Sequence, residues 1–284
     1  MKALKNNFIN LFILLVFISC SSNSTDDSNG DPLASYEAFN ISYGNDSDQV
    51  FDLYLPEERT FNTKTLILVH GGGWTSGDKT DMNAFKDYIK NELHEYAIVN
   101  MNYRLADENN PPYPMQINDI TSVVNFLNDN SNNYVISNDI GFIGVSAGGH
   151  LSLLWSYAFD NDNQTEMVCS IVGPTNFTDP AYLNNTNPLL QEIIDTFGID
   201  TETAFLEEIS PYHRATASAP PTILFYGGED PLIPTTQGTA MRDKLLELNV
   251  THEFTLYPTE GHGWVGFNLL DTSIKLKTFI ETHM

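Results

Sequence analysis

The chain has 284 residues, of which 41% are hydrophobic and 12% aromatic, enough for one domain with a sizeable core. Its formal net charge is −24, from 13 Lys and Arg against 37 Asp and Glu. That excludes nucleic-acid binding, which needs clustered cations for phosphate contacts, and adhesion to anionic lipid headgroups. The two cysteines, Cys20 and Cys169, allow no disulfide framework, and no H-E-x-x-H or paired C-x-x-C string is present, so no metal set is expected.

Residues 1–19 read as a signal peptide. Lys2 and Lys5 precede an apolar run, Phe8 to Ile18, interrupted only by Asn10. Phe17-Ile18-Ser19-Cys20 resembles a lipobox, with Phe17 where leucine is usual. On that resemblance Cys20 becomes the lipidated first residue of a mature, exported bacterial lipoprotein, anchored at the outer membrane or cell surface. The apolar run is too short to span a bilayer. Residues 20–36 are small, polar and acidic and read as a flexible tether, leaving 37–284 as the folded domain. With Cys20 lipidated, Cys169 has no partner; it lies in the apolar run MVCSIVG and reads as an inert core thiol.

Beyond the tether, residues 38–44 and 49–55 alternate in polarity across a turn containing Asn45 and Asp46, the pattern of a β-hairpin. Continuous apolar strands then alternate with helical segments: strand Thr65–Val69, helix 81–93, strand Ala97–Tyr103, helix 115–128, strand Ile140–Val145, helix 147–158 and strand Met167–Val172. After an interruption come strand Thr222–Tyr226, helix 235–248, strand His252–Tyr257 and a closing helix over 269–282. This rhythm predicts a mostly parallel central sheet with helices on both faces, extended at one edge by the antiparallel hairpin. The interruption, residues 174–218, is rich in Asn, Thr and Pro, with short helices expected near 188–197 and 201–208. It is too long for a plain connection and reads as a small cap-like insertion over the sheet's C-terminal edge.

Three motifs carry chemistry. Gly144-Val145-Ser146-Ala147-Gly148 joins a buried strand directly to a helix, the context of a nucleophile elbow, in which Ser146 stands exposed at a helix N-terminus. His70-Gly71-Gly72-Gly73-Trp74 ends an earlier strand; its bare backbone lets Gly71 and Gly72, with Ala147, direct N–H groups at an oxyanion. A Walker loop is excluded because no Gly-Lys-Ser/Thr follows. The base must lie elsewhere, and His262 follows the last strand while Asp230 follows Thr222–Tyr226. The order Ser146, Asp230, His262, each in a loop at a strand's C-terminal end, suits a triad in which Asp230 orients His262 and His262 deprotonates Ser146. Among the other histidines, His70 reads as ordering its loop and His150 as packing beneath the site. His213 has a minor claim on substrate, and His252 opens the last strand at the wrong end of the sheet.

HGGGW, NYRLA (Asn102–Ala106), GVSAGGH, SPYHRA, PPTILFYGGEDPLIP and EGHGW occur in an order and spacing that resembles the α/β-hydrolase esterases and lipases over residues 37–284. The likeness is closest to the bacterial feruloyl/acetyl esterase branch and to hormone-sensitive-lipase-like carboxylesterases. It implies the α/β-hydrolase fold, hydrolysis of short-chain or carbohydrate-linked acyl esters, and no cofactor. Tyr226 departs from the pattern, since many members carry histidine there. The long N-terminal cap of the lipase type is also missing, because HGGGW begins about 50 residues past Cys20. An amide-cleaving member, a peptidase or arylformamidase, would carry the same triad. A non-catalytic surface binding protein on this scaffold should have lost a catalytic element, and none is lost here. A reduced cap should leave a short acyl pocket walled by aromatics: Trp74 and Trp264 beside the oxyanion loop and the base, and Tyr182, Phe197 and Tyr212 from the insertion.

Overall fold

Each central strand is a run of Val, Ile, Leu and Phe that can be buried on both faces only if both faces of the sheet are covered. In the computed structural model, which describes residues 33–184, 186–188, 191 and 202–284, this is what such runs do. Strands β3 (Thr65–Val69), β4 (Ala97–Met101) and β7 (Thr222–Gly227) are buried throughout, and β5 (Ile140–Val145) and β6 (Thr165–Ile171) nearly so. The edges are β8 (His252–Tyr257) on one side and, on the other, β1 (Tyr36–Ser42) beyond β2 (Val50–Leu55). The eight strands run β1-β2-β4-β3-β5-β6-β7-β8. β2 is antiparallel to both neighbours and every other pairing is parallel.

Alternation along each strand divides the core in two. Ile67, Val69, Val99, Phe142, Val168, Leu224 and Tyr226 meet α2 (Pro112–Tyr134), α3 (Ala147–Ala158) and a helix at Thr235–Glu247, here α7. Leu66, Leu68, Ile98, Ile143, Cys169, Ile223 and Phe225 meet α1 (Asn83–Glu92) and the last helix, α8 (Phe267–His283), on the other face. Cys169 is fully buried and unpaired, and burial pushes its thiol well above the ordinary range.

Helix α2 is longer than its apolar spacing predicts. Its last residues are poor helix formers held by tertiary bonds. Asn128 and Gln164 exchange amide hydrogen bonds of 3.0 and 2.9 Å, and Arg59 Nε donates to the Tyr134 carbonyl at the helix C-terminus. Strand β4 stops two residues short of expectation: Asn102 N still bonds the Val50 carbonyl, while the Asn102 and Tyr103 side chains turn to support the loop after β3.

Residues 174–218 include the short helices α4 (Pro180–Leu183), α5 (Thr203–Glu208) and α6 (Pro211–Arg214). The two ends of this stretch are stitched together beside α3: Tyr212 N donates to the Thr175 carbonyl, and Phe177 N to Ser210 Oγ. Cys20, the tether up to residue 32, Phe197 and most of the helix expected near 188–197 lie outside the described residues, and Tyr36, expected in the tether, opens β1. Among the described residues no helix is long and apolar enough to cross a membrane.

Candidate active site

Ser146 occupies a backbone conformation that side-chain-bearing residues rarely adopt, φ 53° and ψ −120°, between the end of β5 and the start of α3. The turn is tight enough that its neighbours must be glycine. A Cβ on Gly144 would lie 2.2 Å from the Gly148 carbonyl oxygen, and one on Gly148 would lie 2.1 Å from that of Val69. The strained residue is pinned on both sides, with its N–H donating to the Ile171 carbonyl and its own carbonyl accepting from His150 N.

The loop after β3 passes directly over this turn. A Cβ on Gly71 would sit 3.1 Å from the Val145 carbonyl oxygen and 3.2 Å from Ser146 Cβ. Gly72, Gly73 and Trp74 all have positive φ, and the Gly72 carbonyl closes the loop by accepting from Thr75 N, Ser76 N and Ser76 Oγ. The NYRLA segment braces the loop from behind. The Tyr103 ring stacks on His70 at 4.2 Å and its hydroxyl bonds the His70 and Gly71 carbonyls. Gln116 Nε2 clamps the Trp74 and Arg104 carbonyls together, while Arg104 forks onto the buried Asp119. His70 is fully buried, bonds the Gly71 carbonyl through Nδ1, and has its pKa lowered by burial, so it stays neutral and orders the loop.

His262 lies between Ser146 and Asp230. Its Nδ1 is 2.8 Å from Asp230 Oδ2 and its Nε2 is 2.9 Å from Ser146 Oγ. Because the carboxylate can only accept, the imidazole proton sits on Nδ1, which leaves the Nε2 lone pair to accept from the serine hydroxyl. Asp230 is itself locked: its other oxygen accepts from Leu232 N at 2.8 Å and Ile233 N at 3.0 Å, and the side chain is 1% exposed. The loops bearing the acid and the base cross at van der Waals limit. A Cβ on Gly227 would lie 2.1 Å from the Gly261 carbonyl oxygen, and Glu229 N donates to the Glu260 carbonyl. Such a chain of groups can withdraw the Ser146 proton as its oxygen attacks an electrophilic carbon.

The hollow above Ser146 is small and is lined by Gly73, Trp74, Ser146, Ala147, Pro174, Tyr182, Leu232, Ile233 and His262. Trp74 is therefore a wall residue, its indole N–H bonded to His150 Nδ1 at 3.2 Å. His150 lies beneath, its Nε2–H on the Ile209 carbonyl, and burial pulls its pKa down to about 4. Tyr212 and Trp264 are not in the wall, and here the expectation from sequence is corrected. The Trp264 indole donates to Thr272 Oγ1 and packs on Tyr257 in the core layer under α8. Tyr212 packs at the foot of the 174–218 stretch, edge-on to His213, and His213 bonds Thr178. Gly73 does line the hollow; its only sequence signal was being the third glycine of one motif, with nothing to show which of the three would face Ser146. Leu232 and Ile233 arrive because Asp230 folds the chain around itself. Tyr226, the departure from the family pattern, is buried with its hydroxyl on the Gly173 carbonyl and takes no part in the triad hydrogen bonds. Among the described residues no cluster of His, Cys, Asp and Glu could hold a metal ion.

Comparison with known proteins adds to this geometry. The esterase LipC of Mycobacterium tuberculosis is 25% identical over 249 residues, covering 81% of this chain, which in turn spans only 60% of LipC. Two solved structures share the fold. Carboxyl esterase 2 from Tuber melanosporum has a TM-score of 0.72 at 18% identity, over 93% of this chain and 90% of its own. A bifunctional GH43-CE from Bacteroides eggerthii has a TM-score of 0.71 at 22% identity, over 85% of this chain and 38% of its own. The strand order, the elbow and the three loops converging on it are thus an α/β-hydrolase arrangement, and with the BD-FAE family model matching residues 51–245, the chain belongs to the BD-FAE family.

Proposed function

We propose that this protein is a serine esterase that cleaves carboxylic esters through an acyl-enzyme. The observation that carries the reading is the unbroken relay Ser146–His262–Asp230, with both hydrogen bonds under 3 Å. Ser146 Oγ adds to the ester carbonyl as its proton passes to His262 Nε2. The oxyanion is met by backbone N–H groups of the Gly71–Gly73 loop and of Ala147, where the N-terminus of α3 favours negative charge. Collapse expels the alcohol, which takes the proton from His262. Water then repeats the sequence and frees the acid.

The acyl group is short and the alcohol is carbohydrate-linked in this reading. The hollow over Ser146 is narrow and closed in by Trp74, Tyr182, Leu232 and Ile233, which supports an acetyl-sized group over a long chain. Cys20 carries the lipid that holds the exported enzyme at the outer membrane, as its lipobox-like context supports. A single panel tests the chemistry: purified residues 21–284 with nitrophenyl esters of increasing acyl length, acetylated xylan and feruloyl esters. Cleavage should favour acyl chains below about eight carbons. A rate that climbs steadily with chain length would make the pocket deep, and turnover of formamides or peptides with none of esters would transfer the triad to amide chemistry. Cys20→Ala should release soluble, active enzyme; a wild type already wholly soluble after export would remove the anchor.

A further inference from the structure

Tyr182 is fully buried in α4 and is one of the residues lining the hollow over Ser146. It is rigidly placed. Its ring stands edge-on to Phe177 at 5.5 Å, Phe177 edge-on to His150 at 5.2 Å, and His150 edge-on to Trp74 at 5.4 Å. The Tyr182 hydroxyl nevertheless bonds no protein group. Burial, with Asp230 nearby, pushes its pKa up, so it remains a neutral phenol able both to donate and to accept.

The other side chains lining the hollow are either apolar or committed. Pro174, Ala147, Leu232 and Ile233 offer no side-chain polar group. The Trp74 N–H is held by His150, and Ser146 and His262 serve the reaction. A buried hydroxyl with no protein partner, on a residue that lines a reaction site, is suited to a partner that arrives with the substrate. We propose that Tyr182 is a specificity-determining residue whose hydroxyl hydrogen-bonds a hydroxyl oxygen of the bound ester, making hydroxylated esters the preferred substrates over plain alkyl esters. The inference rests on the esterase reading above and narrows it. The hydroxyl belongs either to the alcohol portion, as in an acetylated sugar, or to the acyl portion, as in a 2-hydroxyacyl ester. Sites built to bond a substrate hydroxyl discriminate strongly against analogues lacking it, because the site's own polar group is then left unpaired.

The experiment compares wild type with Tyr182→Phe, which removes one oxygen, on two matched pairs. One pair is a monoacetylated sugar against cyclohexyl acetate; the other is a nitrophenyl lactate against nitrophenyl propionate. Wild type should prefer the hydroxylated member of one pair by roughly 10-fold or more in kcat/KM, and which pair identifies the portion that Tyr182 reads. Tyr182→Phe should bring that pair near parity, by slowing the hydroxylated member while leaving the plain one within about 2-fold. Unchanged fluorophosphonate labelling of Ser146 in the variant confirms an assembled site. The proposal is overturned if wild type shows no preference in either pair, or if the variant slows both members alike, which would place the hydroxyl at the reacting centre. If wild type cleaves no ester and Ser146 takes no fluorophosphonate, the esterase reading itself fails, an outcome distinct from either of these.

Discussion

The nucleophile and the base lie 2.9 Å apart, yet the segments that present them are built on opposite principles. Around Ser146 every approach is at the contact limit: Gly144 and Gly148 have no room for a methyl group, and Gly71 presses on the serine from the facing loop. Around His262 the crowding is one-sided: the backbone meets Gly227 of the acid's loop, and beyond that crossing there is space. Gly261, Gly263 and Gly266 have nothing within 4 Å of where a Cβ would stand, and Val265 and Phe267 are 80% and 90% exposed. The elbow is held by steric exclusion. The base is held from one side only, by its hydrogen bond to Asp230 and by the Glu229 N–H on the Glu260 carbonyl, and the acid's own loop is locked by Leu232 N and Ile233 N. A strained nucleophile thus sits on a rigid frame, while the imidazole depends on one buried carboxylate.

Substitutions at the two regions test that contrast. The largest effect belongs to Ser146→Ala, which should remove roughly 10⁶-fold of kcat with the fold intact; esterase turnover near the wild-type rate in a folded variant would end the assignment. Asp230→Asn comes next. It keeps the shape but can turn a donor toward His262 and spoil the tautomer, so kcat should fall by about 10⁴-fold, as triads behave when that carboxylate is lost. A loss below 10-fold would mean the loop holds His262 without its acid.

On the elbow side, Gly148→Ala places a methyl group 2.1 Å from the Val69 carbonyl oxygen and should destabilise the protein by about 3 kcal/mol or more, read from urea midpoints. Acid should act on the same side. His150, beneath the elbow, has its folded pKa depressed to about 4 by burial, from an ordinary 6.5. The unfolded chain therefore binds that proton first, and stability should decline as pH falls from about 6.5 toward 4, by about 3 kcal/mol at most from this residue. The slope over that window should flatten in His150→Gln, and an equal slope in both proteins would refute the account. The smallest effect is expected in the open loop. Gly261→Ala adds a methyl group facing empty space and should change stability by less than about 0.5 kcal/mol. A cost matching that of Gly148→Ala would erase the distinction between the two regions.

The sequence by itself determined the strand and helix series, the parallel core, and the three residues that meet through two hydrogen bonds. These follow from local rules: apolar runs of strand length, glycines where the backbone must turn or cross, and motifs seated at strand ends. It also determined that Cys169 is a core thiol, because the run around it is apolar on both faces of the sheet. The tertiary structure decided what local rules do not encode, namely where side chains point when a segment has no period. Trp74 and Trp264 each follow glycine in a loop bearing a site motif, yet Trp74 lines the hollow while Thr272 and Tyr257 draw Trp264 into the layer under α8. Tyr182 and Tyr212 belong to the same irregular stretch, and of the two only Tyr182 lines the hollow over Ser146, where it packs on Phe177. Helix α2 outruns its own propensity because Gln164 and Arg59, distant in sequence, satisfy its final turns. In each case the deciding partner lies in another element, and its identity becomes available only when the chain has packed.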